Sequence, residues 1–213
     1  MTEPATPPLA TLIGDVVSSR SVPDRRRLHR DLEAVLAEVT SRTEPVHALR
    51  VTVGDEFQGA WHRRGQAIHA ALLLRLALVP IEVRLGLGHG GVASLSEDGT
   101  VQDGPGWWLA REAITRAKAD EPASRSEGAV VRTRWREDSP LGPALDTTLR
   151  HRDLVLGRLD ERSLRILRGL VEGRSQRTIA TDEGVSPTAV SRRVHRDGLD
   201  LLVDLDRELG EQQ

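Results

Sequence analysis

Cysteine is absent from the 213 residues. Disulfides and thiolate-held metals are therefore excluded, and a cytoplasmic setting is expected. No stretch reaches the roughly 18 consecutive apolar residues of a membrane span. The opening MTEPATPPLA lacks both a basic segment and a long apolar run, so no secretory signal is expected. Strong basicity is missing as well, with a net charge of −2. Contact with DNA would have to come from a local basic surface. Lys118 is the sole lysine among 30 cations. That arginine bias fits GC-rich coding better than arginine-specific chemistry.

What is present is a lean but sufficient core. Hydrophobic residues make up 38% of the chain and charged residues 29%. The length suits one large domain or two small ones. PLATLIGDVV, residues 8–17, reads as a buried central strand. The segment from Pro23 to Thr40 carries Leu28, Leu32, Val35, Leu36 and Val39 at helical spacing, and Pro23 suits a first turn. VHALRVTV (46–53) and Phe57 to Trp61 read as strands joined by a Gly54-Asp55-Glu56 turn. An apolar helix follows over 65–79, then an alternating strand over 80–90. A polar loop over 93–106, a helix over 107–118 and an edge strand over 128–134 complete the unit. The order β-α-β-β-α-β-α-β predicts an α+β fold: a ferredoxin-like palm with helices on one face of a mostly antiparallel sheet. Residues 137–157, with SPLGP, read as a linker that carries at most a short helix. Residues 158–213 read as an all-α second domain.

Acids fall where strands end. Asp15 closes the first strand and Asp55 sits at the hairpin tip. Singly, each is an ordinary turn or cap residue. On neighbouring strands they would face one another and repel unless a cation lay between them. Mg²⁺ is the natural choice: it favours oxygen ligands and is completed by water and phosphate oxygens. Ser18, Ser19 and Arg20 follow at once, leading into a helix, and offer donors for phosphate. Trp107 and Trp108 point about 100° apart if helical. At most one can stack on a base; core packing and a dimer contact are the other uses open to them.

These segments resemble the palm domains of class III nucleotide cyclases and GGDEF proteins over residues 10–120. LIGDVVSSR is similar to the cyclase first strand with its metal-binding Asp and phosphate loop. VTVGDEFQGAW resembles the hairpin with the second metal Asp. GQAIHAALLLRLAL, VRLGLGHGGV and DGPGWWLAREAITRAK follow in the same order. The whole chain resembles the SatD-type family. The cyclase resemblance implies metal contact at Asp15 and Asp55, nucleotide contact at Ser18, Ser19, Arg20, Trp108 and Arg111, and ATP or GTP with Mg²⁺ as ligand. It also implies loss of function. Trp108 stands where cyclases carry Asn, and Glu112 where they carry Arg, with Arg111 adjacent. Without those groups the electrostatic stabilisation of the transition state fails. Binding is expected to survive and cyclisation to be weak or absent, with no catalytic residue assigned.

The C-terminal segment RSQRTIATDEGVSPTAVSRRVH resembles LuxR-type and sigma-region-four helix-turn-helices. Ser175 and Ser186 read as N-caps, Gly184-Val185-Ser186 as the turn, and Pro187 as a first-turn residue. Thr188, Ser191, Arg192, Arg193, His195 and Arg196 then face outward, suited to base edges and phosphates of double-stranded DNA. The leading expectation is thus a homodimeric, DNA-binding transcriptional regulator with a degenerate nucleotide-sensing palm. An active, divergent nucleotidyl cyclase with a regulatory tail is the alternative. A ligand-free palm that only dimerises the DNA reader is a third.

Overall fold

The computed structural model describes residues 7–97, 99–121 and 130–213. Part of the strand expected over 128–134 lies outside them. Strand β1 (Pro8–Val16) is followed by a 3-10 turn and helix α1 (Arg25–Thr43). A hairpin, β2 (His47–Val53) and β3 (Glu56–Trp61), leads to α2 (Arg64–Ala77) and β4 (Val83–Gly91). Two short strands, β5 (Ala93–Ser94) and β6 (Gln102–Asp103), precede α3 (Pro105–Asp120) and β7 (Thr133–Glu137). Helices α4 (Leu141–Leu156), α5 (Glu161–Val171), α6 (Gln176–Asp182), α7 (Pro187–Asp197) and α8 (Leu199–Gly210) end the chain.

The main sheet has five strands in the order β2-β3-β1-β4-β7. The first four pair antiparallel, and β7 joins β4 in parallel. The β-α-β-β-α-β core is therefore ferredoxin-like, inside a mixed sheet. Alternation along β1 splits its side chains between two cores. Ala10, Leu12 and Val16 join α1, α2 and α4 residues on one face. Leu9 and Ile13 join Trp107, Ala110 and Ile114 of α3 on the other. This corrects the expectation of helices on one face only. Helix α3 can lie there because β4 offers it Gly86, Gly88 and Gly90. A Cβ at Gly88 would stand 2.4 Å from the Gly106 carbonyl oxygen.

The segment expected as a linker is a 16-residue helix. Helix α4 buries Leu145 and Leu149 in the sheet-side core and Leu156 among the later helices. Those later helices share a second core with α2: Leu72 and Leu76 pack with Ile166, Leu167, Ile179, Val190 and Leu199. Leu209 of α8 reaches the sheet-side core.

Candidate functional site

Two local devices bring the tip of the β2-β3 hairpin to the end of β1, and the space between them is the candidate crevice. The hairpin turns at Gly54, whose φ of +65° suits a residue without Cβ. That turn carries Asp55 back over β1, where its Oδ2 accepts the Val16 backbone N–H at 3.2 Å. Asp15 is the neighbouring residue, buried on the α3 side of the sheet. Asp55 thus reaches the backbone of the residue that follows Asp15.

Cations hold Asp15 of β1 and Glu56 of the hairpin. Arg84 donates from Nη1 to Asp15 at 3.0 Å, and the Lys118 ammonium lies 2.5 Å from the other Asp15 oxygen. Arg84 is itself fixed by a two-point contact with Glu121, at 2.6 and 2.9 Å. Arg111 makes a second two-point contact with Glu56, at 2.6 Å on each oxygen. The Arg111 hydrogen bond and charge hold the Glu56 carboxyl below its ordinary range, against the opposing effect of burial. Glu56 in turn raises the Arg111 guanidinium. Trp108, Arg111, Thr115 and Lys118 recur at helical spacing, so one stripe of α3 faces the crevice.

The phosphate-loop candidates lie where the sequence put them, between β1 and α1. Ser18 has a left-handed backbone, with φ of 54° and ψ of 29°. Such a conformation is costly for a residue with a Cβ. Ser19 is buried and Arg20 exposed in the 3-10 turn. Trp107 is buried in the α3-side core, whereas Trp108 is 60% exposed and donates from Nε1 to Asp103. Of the pair, Trp108 alone presents its ring to solvent.

Arg84, Lys118 and Glu121 escaped the sequence reading. A signal was available for Arg84. In VRLGLGHGG the residues between Val83, Leu85 and Leu87 are Arg84, Gly86 and Gly88. A cation thus opens a face that is otherwise free of side chains. Lys118 is the one lysine, one heptad after Arg111.

Among the described residues no group of three or more His, Cys, Asp or Glu is placed to hold a metal ion. Two carboxylates suffice for Mg²⁺ when phosphate oxygens and water complete the shell. Asp15 and Asp55 thus suit a metal delivered with its nucleotide, not a resident ion. Arg84 is 15% exposed and anchored by Glu121, while Lys118 is 47% exposed. Lys118 is the cation that can yield its place.

At the other end of the chain, Ser175 and Ser186 cap α6 and α7 as expected. Thr188, Ser191, Arg192, His195 and Arg196 are exposed on α7. Arg193 is tied to Asp160 at 2.7 Å and Arg196 to Asp197 at 2.7 Å. Asp160 also accepts the Ser163 N–H as the cap of α5. These contacts, Arg193 foremost, hold the Asp160 carboxyl down at about 2, from an ordinary 3.8. A depressed acid contributes stability above its unfolded pKa and loses it as pH falls through the folded value. The Asp160 carboxyl should titrate near 2 by NMR; a midpoint near 4 would contradict the contact. Asp160→Ala should cost about 0.5–2 kcal/mol, as lost N-caps do.

The SatD family model matches residues 9–208. No curated protein shows a significant match. Solved structures are similar over part of the chain, three of them as follows. The catalytic core of a rhodopsin-guanylyl cyclase with converted specificity, in complex with ATPαS, is 17% identical, covering 53% of this chain and 73% of that one, at a TM-score of 0.45. A bacterial light-regulated adenylyl cyclase is 11% identical, covering 62% and 77%, at 0.47. Adenylate cyclases from Trypanosoma brucei in their monomeric state are 18% identical, covering 52% and 70%, at 0.42.

The expectation of a DNA-binding transcriptional regulator is corrected by these findings. The similar structures are nucleotide cyclases. The family match runs unbroken through the C-terminal helices. Those helices are built into the α2 side of the molecule, and Arg193 and Arg196 pair with Asp160 and Asp197. Among the described residues no helix is long and apolar enough to cross a membrane.

Proposed function

The chain belongs to the SatD family, and from that starting point we propose that it is a divergent nucleotidyl cyclase that binds a Mg²⁺–nucleoside triphosphate between Asp15 and Asp55. One observation carries the proposal: the Asp55 carboxylate reaches the Val16 N–H, beside Asp15. A Mg²⁺ arriving with its nucleotide would replace Lys118 at Asp15 and draw on Asp55 across the turn. The motifs LIGDVVSSR and VTVGDEFQGAW, which resemble the cyclase metal strands, supply both acids.

In the proposed reaction the ribose 3′ oxygen bonds to the α-phosphorus. The bond from that phosphorus to the bridging oxygen breaks, pyrophosphate leaves, and the hydroxyl proton passes to solvent. The metal would neutralise developing phosphate charge. Ser18, Ser19 and Arg20 would meet the phosphates, and Trp108 offers a face to the base. Arg111 is the cation of GWWLARE within reach of the crevice, and it must leave Glu56 to act on phosphate. With Trp108 and Glu112 in the places of the usual Asn and Arg, turnover is expected to be slow.

Calorimetry with ATP or GTP and Mg²⁺ tests the site, and chromatography for a cyclic product tests the reaction. Asp55→Asn keeps an oxygen for the Val16 N–H but removes the charge. It should weaken Mg²⁺–nucleotide binding at least tenfold and abolish product. Unchanged affinity for every nucleoside triphosphate would refute the site.

A further inference from the structure

Where the end of α4 and α5 meet the end of α2 and the start of β4 lies a cavity of about 200 Å³. Leu76, Ile81 and Leu164 contribute to its apolar lining, and Arg75, Arg132 and Glu82 bring charge to it. Arg75 is tied to the buried Asp153. Glu161, the other acid of the lining, is exposed and pairs with Arg165 at 3.8 Å.

Arg132 is the incompletely paired member. Its side chain is only 8% exposed. Nη1 pairs with Glu121 and Nη2 with Glu82, while Nε is buried with no acceptor among the described residues. Nε and Nη2 form one edge of a guanidinium, and such an edge takes both oxygens of a carboxylate. Elsewhere in this chain it does so: Glu121 fills that edge at Arg84, Asp146 at Arg134 and Glu183 at Arg165. At Arg132 the edge is half filled.

The filled half is loosely held. The Glu82 side chain is 57% exposed, so water can replace Arg132 as its partner. The Glu82 backbone is fixed separately, its carbonyl accepting the Val17 N–H at 2.8 Å. The side chain can therefore leave without moving a strand. Burial pushes the Arg132 guanidinium below its ordinary range; Glu82 opposes this, and the nearby Arg84 and Arg75 add to it. A carboxylate on both Nε and Nη2 would oppose the push more fully than Glu82 does through Nη2 alone. The apolar walls ask for a body as well as a charge. An apolar cavity of ~150 Å³ is enough to take up benzene.

We propose that this cavity binds a small monocarboxylate with an apolar body, whose two oxygens displace Glu82 and complete the Nε–Nη2 edge of Arg132. One charge replaces another, so the buried guanidinium is never left without a partner. Phosphate fits less well, because it brings more charge and no apolar surface. Neither Asp15 nor Asp55 lines the cavity, and the inference does not rest on the nucleotide reading.

The probe is benzoate, titrated into the full chain and followed by NMR at the Arg132 Nε–H. That resonance should shift and saturate as the N–H gains an acceptor. Acetate, which lacks the body, and benzyl alcohol, which lacks the charge, should each bind at least tenfold more weakly. Glu82→Gln removes the competing charge at an exposed position and should bind benzoate at least threefold more tightly. Leu164→Trp, at a partly exposed wall position, fills the cavity and should abolish binding with an unchanged circular dichroism spectrum. If Leu164→Trp fails to fold, Glu82→Gln still decides. Absence of a saturable shift in wild type overturns the proposal. Equal affinity for acetate would mean that arginine charge alone takes the anion, and equal affinity for benzyl alcohol that no carboxylate is read; either overturns it. Unchanged affinity in Glu82→Gln would place benzoate away from Arg132 and overturn it as well.

Discussion

Gly88→Ala is expected to destabilise the protein by more than the ~1–3 kcal/mol that added core methylenes usually cost. The new Cβ would lie 2.4 Å from the Gly106 carbonyl oxygen and 2.5 Å from the Ala110 nitrogen. Both are backbone atoms of α3, so no side-chain rotation relieves the clash. The whole helix has to lift from β4. Gly86 meets the same helix one pleat along, with Cβ contacts of 2.3 Å to the Ile114 nitrogen and 2.4 Å to the Ala110 oxygen. Lifting α3 opens the packing of Trp107, Ala110 and Ile114 on Leu9 and Ile13. It also draws Arg111 and Lys118 away from Glu56 and Asp15, so loss of stability and loss of the charged crevice should arrive together. Total stabilities of ~5–15 kcal/mol leave little margin for such a change. Urea unfolding measures the effect. Gly210→Ala is the control, because a Cβ there meets nothing within 4 Å. A shared midpoint for the two variants would show that α3 does not rest on the glycine face.

That glycine face explains what the sequence did and did not disclose. Gly86, Gly88 and Gly90 are permissive residues whose commonest use is a turn or bulge. Nothing in their spacing announces that a helix will pack on them. The places of Asp15 at a strand end and Asp55 at a hairpin turn were legible, because a Gly-Asp hairpin follows from local pattern and turn chemistry. The counter-charges of Asp15 were not, because Arg84 and Lys118 lie far apart in sequence and meet only across the sheet and α3. SPLGP misled in another way. Pro140 and Pro143 lie at and just inside the start of α4, where the amides have no intrahelical acceptor to lose. The prolines that look like a linker are a helix entrance. The C-terminal caps at Ser175 and Ser186 were read correctly, yet caps specify helices and not their work. From helix boundaries to DNA reading was a step that resemblance alone carried, and the comparisons do not support it.

Removal of a single buried carboxylate from α4 should be the most damaging polar change in the molecule. Asp153 is fully buried. Its Oδ2 accepts the backbone N–H groups of Arg132 and Thr133, at 2.6 and 2.5 Å. Its Oδ1 accepts the Thr133 hydroxyl at 3.2 Å and pairs with Arg75 of α2. One side chain thereby joins α4, α2 and the entry to β7. Asp153→Ala leaves two backbone donors and a largely buried guanidinium without their acceptor. Breaking one partner of a buried pair costs ~3–5 kcal/mol, and stranded donors add to that. Arg152, next in sequence, deepens the loss. Its guanidinium nitrogens are buried without a hydrogen-bond partner among the described residues. Burial pushes its pKa down, and the charges of Asp153 and Asp206 oppose that push. Asp153→Asn keeps the shape and one acceptor oxygen, so its cost should fall between wild type and Asp153→Ala. Paired with Arg75→Met, Asp153→Ala should cost less than the two single changes added together, since contacting partners are not additive. Chemical denaturation of the wild type and the four variants decides the matter. A cost below about 1 kcal/mol for Asp153→Ala, the scale of a single ordinary hydrogen bond, would mean that the Asp146 contacts with Arg134 and Trp135 and the apolar packing of Leu145 and Leu149 suffice to fix α4 to the sheet.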